Sequence, residues 1–89
     1  MQGEISDLAI IKIKVNSYHS KYIRALPLHS SQKEIEKTND YSIFEYYLIP
    51  TIEFKQELLS MGANVEVLSP QNLREEIKNE LKDILRIYE

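Results

Sequence analysis

The sequence predicts an α+β fold: an antiparallel sheet with two helices packed on one face and a third helix appended. Three observations carry this. Apolar and polar residues alternate around 10–15 and 42–49, the period of a half-buried strand, whereas in 51–61 and 70–88 apolar residues recur at helical spacing. Between these stretches stand residues that stop or start elements: Pro27, Asn39-Asp40, Pro50-Thr51, Gly62 and Ser69-Pro70.

The first strand, 8–15, has Ile11, Ile13 and Val15 on one face and Ile10, Lys12 and Lys14 on the other. Asn16-Ser17 offers an N-cap to a short helix carrying Tyr22, Ile23 and Leu26, which Pro27 ends because the residue before a proline avoids helical geometry. Residues 32–38 alternate mainly in charge, with Ile35 the only large apolar side chain, which fits an edge strand. Asn39-Asp40 signals a turn but lacks the glycine of a tight type I′ hairpin, so a slightly longer connection is expected. The most hydrophobic strand follows at 42–49. Thr51 then caps a helix whose Phe54, Leu58 and Met61 form one stripe, and Gly62 takes the C′ position. Val65 and Val67 point the last strand inward. Pro70, expected at N1, opens a final helix with Leu73, Ile77, Leu81, Ile84, Leu85 and Tyr88 as a continuous stripe. Seven elements in the order strand, helix, strand, strand, helix, strand, helix have few right-handed solutions. The commonest is the split βαβ, ferredoxin-like βαββαβ sheet with its first and third strands central.

Composition narrows the function classes. A net charge of −3 and a pI near 5.4 exclude a nucleic-acid binder that relies on bulk positive charge. No apolar run approaches the roughly 20 residues of a membrane span, no secretory leader is visible, and the absence of cysteine fits a reducing cytoplasm. The chain reads as one domain, 1–89, with a thin core, so burial at a subunit interface would count for much.

Chemistry is sparse. His19 and His29 are the only histidines, there is no Gly-rich phosphate loop, and no spacing suits a metal, so no catalytic set, metal or cofactor is expected. Carboxylates such as Glu34, Glu36, Glu75, Glu76, Glu80 and Asp83 alternate with lysines and arginines and read as a solvated, partly paired surface. The third strand is unusual in being apolar on both faces, with Phe44, Tyr46 and Leu48 on one and Ile43, Tyr47 and Ile49 on the other. If the helices cover the face of Ile11, Ile13 and Val15, then Phe44 and Tyr46 lie beside Lys12 and Lys14 on the open face. Three readings stay open for such a face: cover by the C-terminal helix, a dimer contact through Phe44, Tyr46 and Leu48, or stacking of single-stranded nucleic acid between aromatics and lysines.

Read together, Tyr22-Ile23-Arg24, His29-Ser30-Ser31-Gln32, Ser60-Met61-Gly62, Val65-Glu66-Val67-Leu68-Ser69-Pro70 and Leu73-Arg74-Glu75-Glu76-Ile77 resemble the WCX domain, the C-terminal extension of bacterial WYL-domain transcriptional regulators. The resemblance spans 10–88. It departs from the family pattern at Ser30, where proline is usual, Met61 for an aromatic, Glu57 for tryptophan and Tyr41 for glycine. It implies a parent protein with a winged helix-turn-helix that binds DNA and a WYL domain that senses an effector, this chain being a fragment. The expectation is then a non-enzymatic, cytoplasmic regulatory module. It forms a homodimer, relays effector state to the DNA-binding domain, and contacts an effector through Arg24 and His29. The alternative is a ferredoxin-like domain binding a small molecule or single-stranded nucleic acid, with Lys12 and Lys14 among its contacts.

Overall fold

The computed structural model describes residues 7–89. Its elements are β1 (Ala9–Asn16), α1 (Ser17–Ala25), β2 (Lys33–Lys37), β3 (Tyr41–Leu48), α2 (Ile52–Ser60), a 3-10 turn (Gly62–Asn64), β4 (Val65–Ser69) and α3 (Gln71–Ile87). The four strands form one antiparallel sheet in the order β2-β3-β1-β4, so β1 and β3 are central and the fold is ferredoxin-like with an added C-terminal helix. One sheet and one helix layer give a slab of 35 × 34 × 19 Å.

Local signals act where the sequence places them. Asn16 caps α1, its Oδ1 accepting the His19 amide at 2.7 Å, and Thr51 caps α2 by accepting from Phe54. Gly62 adopts φ +60°, the left-handed conformation that ends α2. Pro70 differs from expectation. It is the extended N-cap residue rather than N1, and the helix proper begins at Gln71. The β2–β3 connection closes without any left-handed residue, because the Thr38 hydroxyl accepts both the Asp40 and Tyr41 amides at 3.1 and 3.0 Å.

Register decides the faces. β1 and β3 pair Ile11 with Tyr46, Ile13 with Phe44 and Val15 with Ser42. Directly opposed residues in an antiparallel pair share a face. Phe44, Tyr46 and Leu48 therefore join Ile11, Ile13 and Val15 under the helices, with Ile23 of α1, Phe54 and Leu58 of α2, and Leu73 of α3. This overturns the placement of Phe44 and Tyr46 on the open face: both are buried, and the Tyr46 ring meets Phe54 edge-on at 5.5 Å. α3 does not cover the open face either. Its first turns complete the helix layer beside β4, with Leu73 fully buried and Ile77 against the core.

Candidate functional site

The open face carries a mixed-charge row instead of an aromatic platform. Lys33, Glu45 and Lys12 lie side by side across β2, β3 and β1, so Lys12 faces a carboxylate. Lys14 sits 4.5 Å over the Tyr41 ring, and the Tyr41 hydroxyl donates to Glu36 at 2.9 Å. Lys14 is thus engaged by Tyr41, Lys12 stands opposite a carboxylate, and the aromatics Phe44 and Tyr46 expected to stack bases beside them are in the core.

Arg24, in the last turn of α1, makes a two-pronged ion pair with Glu34 of β2 through Nε and Nη2, each at 2.8 Å. Ser42 of β3 donates to the same carboxylate at 2.6 Å. The Arg24 guanidinium, with help from Ser42, holds the Glu34 carboxyl well below its ordinary value, at about 2. Glu34 reaches this partner because its rung opposite Phe44 puts it on the helix side, while a bulge between Glu34 and Glu36 shifts the register and sets Glu36 opposite Ile43 on the other face.

His29 lies in the loop after α1. Its Nδ1 accepts the Ser31 amide at 3.1 Å and stands 2.8 Å from the Ser31 hydroxyl. That hydroxyl also accepts the Tyr47 amide at 2.9 Å, occupying a β3 donor beyond the first rung of β2. The neighbouring Gln32 is a fuller junction. Its Oε1 accepts from the Tyr46 hydroxyl at 2.5 Å and the Leu28 amide at 3.1 Å, while Nε2 donates to the Ile23 carbonyl at 3.0 Å. One side chain ties the end of α1, the loop and β3 together. Burial raises the Tyr46 hydroxyl above its ordinary pKa, so it remains a donor.

The two side chains expected to meet an effector together are therefore separated. Arg24 belongs to the α1–β2–β3 junction. His29 lines a groove of about 690 Å³ with Leu26, Tyr47, Phe54, Glu53 and Glu57. That volume lies in the range of small-molecule sites, and no described group of three or more histidine, aspartate or glutamate side chains is placed to hold a metal ion.

Sequence reasoning missed two things. Glu34 and Ser42 act as one unit with Arg24, and the available sign was Ser42 falling in step with Phe44 and Tyr46 in the alternation of β3. The other is the distal half of α3, which leaves the body of the domain. Along its apolar stripe Leu73 is 0% exposed, whereas Leu81 is 51%, Ile84 39%, Leu85 59% and Tyr88 84% exposed. A second groove of about 450 Å³ runs between this helix and β4, floored by Val65, Val67, Ile77, Leu81 and Leu85 and rimmed by Lys78 and Lys82.

Among the described residues every buried side-chain nitrogen and oxygen has a hydrogen-bond partner, while the apolar stripe of α3 is exposed over its distal half. The family model described as WCX domain matches residues 9–85, and the chain belongs to that family. It is thus a regulator-associated domain, and the family name implies the WYL-regulator setting. No curated protein matches the chain significantly. The motif His29-Ser30-Ser31-Gln32 now has a physical meaning: Ser31 and Gln32 close the α1–β2 loop onto β3.

Proposed function

We propose that this chain is a non-enzymatic, cytoplasmic self-association module of a WYL-type regulator, with the distal half of α3 as its contact surface. Effector state would pass through that contact to the DNA-binding domain of the parent protein. The observation that carries the reading is the exposed ridge of Leu81, Ile84, Leu85, Ile87 and Tyr88, at 51, 39, 59, 78 and 84% exposure. A ridge of that kind on a small domain marks an interaction surface. The regulatory half of the proposal is supported by family membership.

The energetics suit a weak contact between copies. The exposed fractions amount to about three full side chains per protomer, or about 6 kcal/mol at roughly 2 kcal/mol each. Doubled over two protomers, that gain is set against about 4 to 15 kcal/mol for lost freedom and side-chain ordering, which leaves a modest affinity. Sedimentation of the chain is expected to show a concentration-dependent dimer. Leu85→Lys should abolish the dimer while leaving the unfolding midpoint unchanged, because that residue is exposed. A wild-type chain that stays monomeric near millimolar concentration, or a variant that associates as well as wild type, would refute the proposal.

A further inference from the structure

We infer that two copies meet through an antiparallel, two-fold pairing of the distal halves of α3, with the axis passing close to Ile84. This rests on the self-association reading above and adds the orientation to it.

Leu73, Ile77, Leu81, Ile84 and Tyr88 share one face of α3. Over the first turns that face is occupied by the domain's own core, since Leu73 is fully buried and Ile77 packs against the cluster. A second helix laid along the stripe can begin only beyond Ile77. A parallel two-fold pair would bring the partner's first turns level with these, driving one sheet-and-helix body into the other. An antiparallel pair overlaps only the free ends and leaves the two bodies at opposite ends of the contact.

The flanks of the stripe are compatible with this orientation. In an antiparallel two-fold pair each flank of the helix faces the same flank of the other copy, so a charged flank would oppose its own charge. Along the first half of α3 the flanking positions are Lys78 and Glu80, one charge on each side. Seven residues later the equivalent positions are Leu85 and Ile87, both apolar and both exposed. The stretch that sterics leaves free is also the stretch whose flanks can face themselves. At roughly 500 Å² per protomer the contact would sit at the low end of specific interfaces, in keeping with a domain that associates weakly by itself.

The chain contains no cysteine, so single-cysteine variants report cleanly. Under mild oxidation of the 89-residue chain, Ile84→Cys lies near the axis and is expected to form a covalent dimer. Tyr88→Cys is expected not to pair with itself, because the two copies of that position stand about 12 Å apart along the helix direction, beyond the roughly 7 Å a disulfide spans. A mixture of Glu80→Cys and Tyr88→Cys chains, positions level with each other about an axis at Ile84, should give a disulfide heterodimer. Self-dimers of Tyr88→Cys forming as readily as those of Ile84→Cys would show a parallel pair and overturn the inference. Failure of every cysteine variant to cross-link, while the wild-type chain still dimerises in sedimentation, would overturn the orientation and leave self-association standing. A monomeric wild type would remove both.

Discussion

Replacing Gln32 by methionine, a side chain of similar length without polar atoms, tests whether the loop motif is a structural clasp. The change orphans three groups at once: the Tyr46 hydroxyl, the Leu28 amide and the Ile23 carbonyl. Tyr46 is fully buried, so its stranded hydroxyl costs about 1–3 kcal/mol, while the two part-buried backbone groups lose about 0.5 kcal/mol or more each and recover some water. The expected total is about 2–4 kcal/mol, a large share of the roughly 4–13 kcal/mol available to a chain of this length. The thermal midpoint should fall by about 10–25 °C. Tyr46→Phe alone should cost only about 1 kcal/mol, because Gln32 keeps the Leu28 amide and the Ile23 carbonyl, and in the double variant no Tyr46 hydroxyl is left to strand. The double variant should therefore be about 1 kcal/mol more stable than the sum of the singles predicts. Urea unfolding followed by far-ultraviolet circular dichroism completes the cycle. A cost below about 0.5 kcal/mol for Gln32→Met, or strict additivity in the double variant, would refute the clasp.

Acid should act through Glu34. Its folded carboxyl titrates near 2 against an ordinary 4.5, so the stabilisation is fully present above about 4.5 and is lost as pH falls from there towards 2. The full drop corresponds to about 3 kcal/mol, which solvent screening of a pair 34% and 23% exposed reduces to about 1–2 kcal/mol. Urea midpoints between pH 5 and 2 should fall further for wild type than for Glu34→Gln; equal slopes would show that the pair is energetically idle. At Gly62 an added methyl meets nothing within 4 Å, so Gly62→Ala isolates the backbone cost of φ +60° at about 1–2 kcal/mol, and Gly62→Asn should cost less. An unchanged midpoint for Gly62→Ala would mean that the turn relaxes to another conformation.

How much of the site was legible differs from residue to residue. Ser31 and Gln32 stood in the motif, but their role depends on Tyr46 and Tyr47 arriving from a strand far along the chain. Arg24 and His29 are five residues apart and looked like neighbours across a loop. The end of α1 turns one towards β2 and leaves the other over the groove beside α2. Glu34 resembled every other carboxylate in a charged edge strand. A bulge sets it apart, and a single shifted rung leaves no mark in composition or periodicity.

By itself the sequence determined the order of elements, their caps and the stop at Gly62, because hydrogen bonds to Asn16 and Thr51 and a left-handed glycine act within a few residues of chain. It also determined which side chains of β1 share a face and which of β3 do. Only the tertiary structure decided how those faces align. With both sides of β3 apolar, the alternation permits either alignment, and a slip of one residue exchanges them. Pairing Ile13 with Phe44 buries the larger set under the helices. The stripe of α3 was equally plain as a pattern. Where the domain ends beneath it was not, and that geometry leaves Leu81 to Tyr88 exposed for a partner.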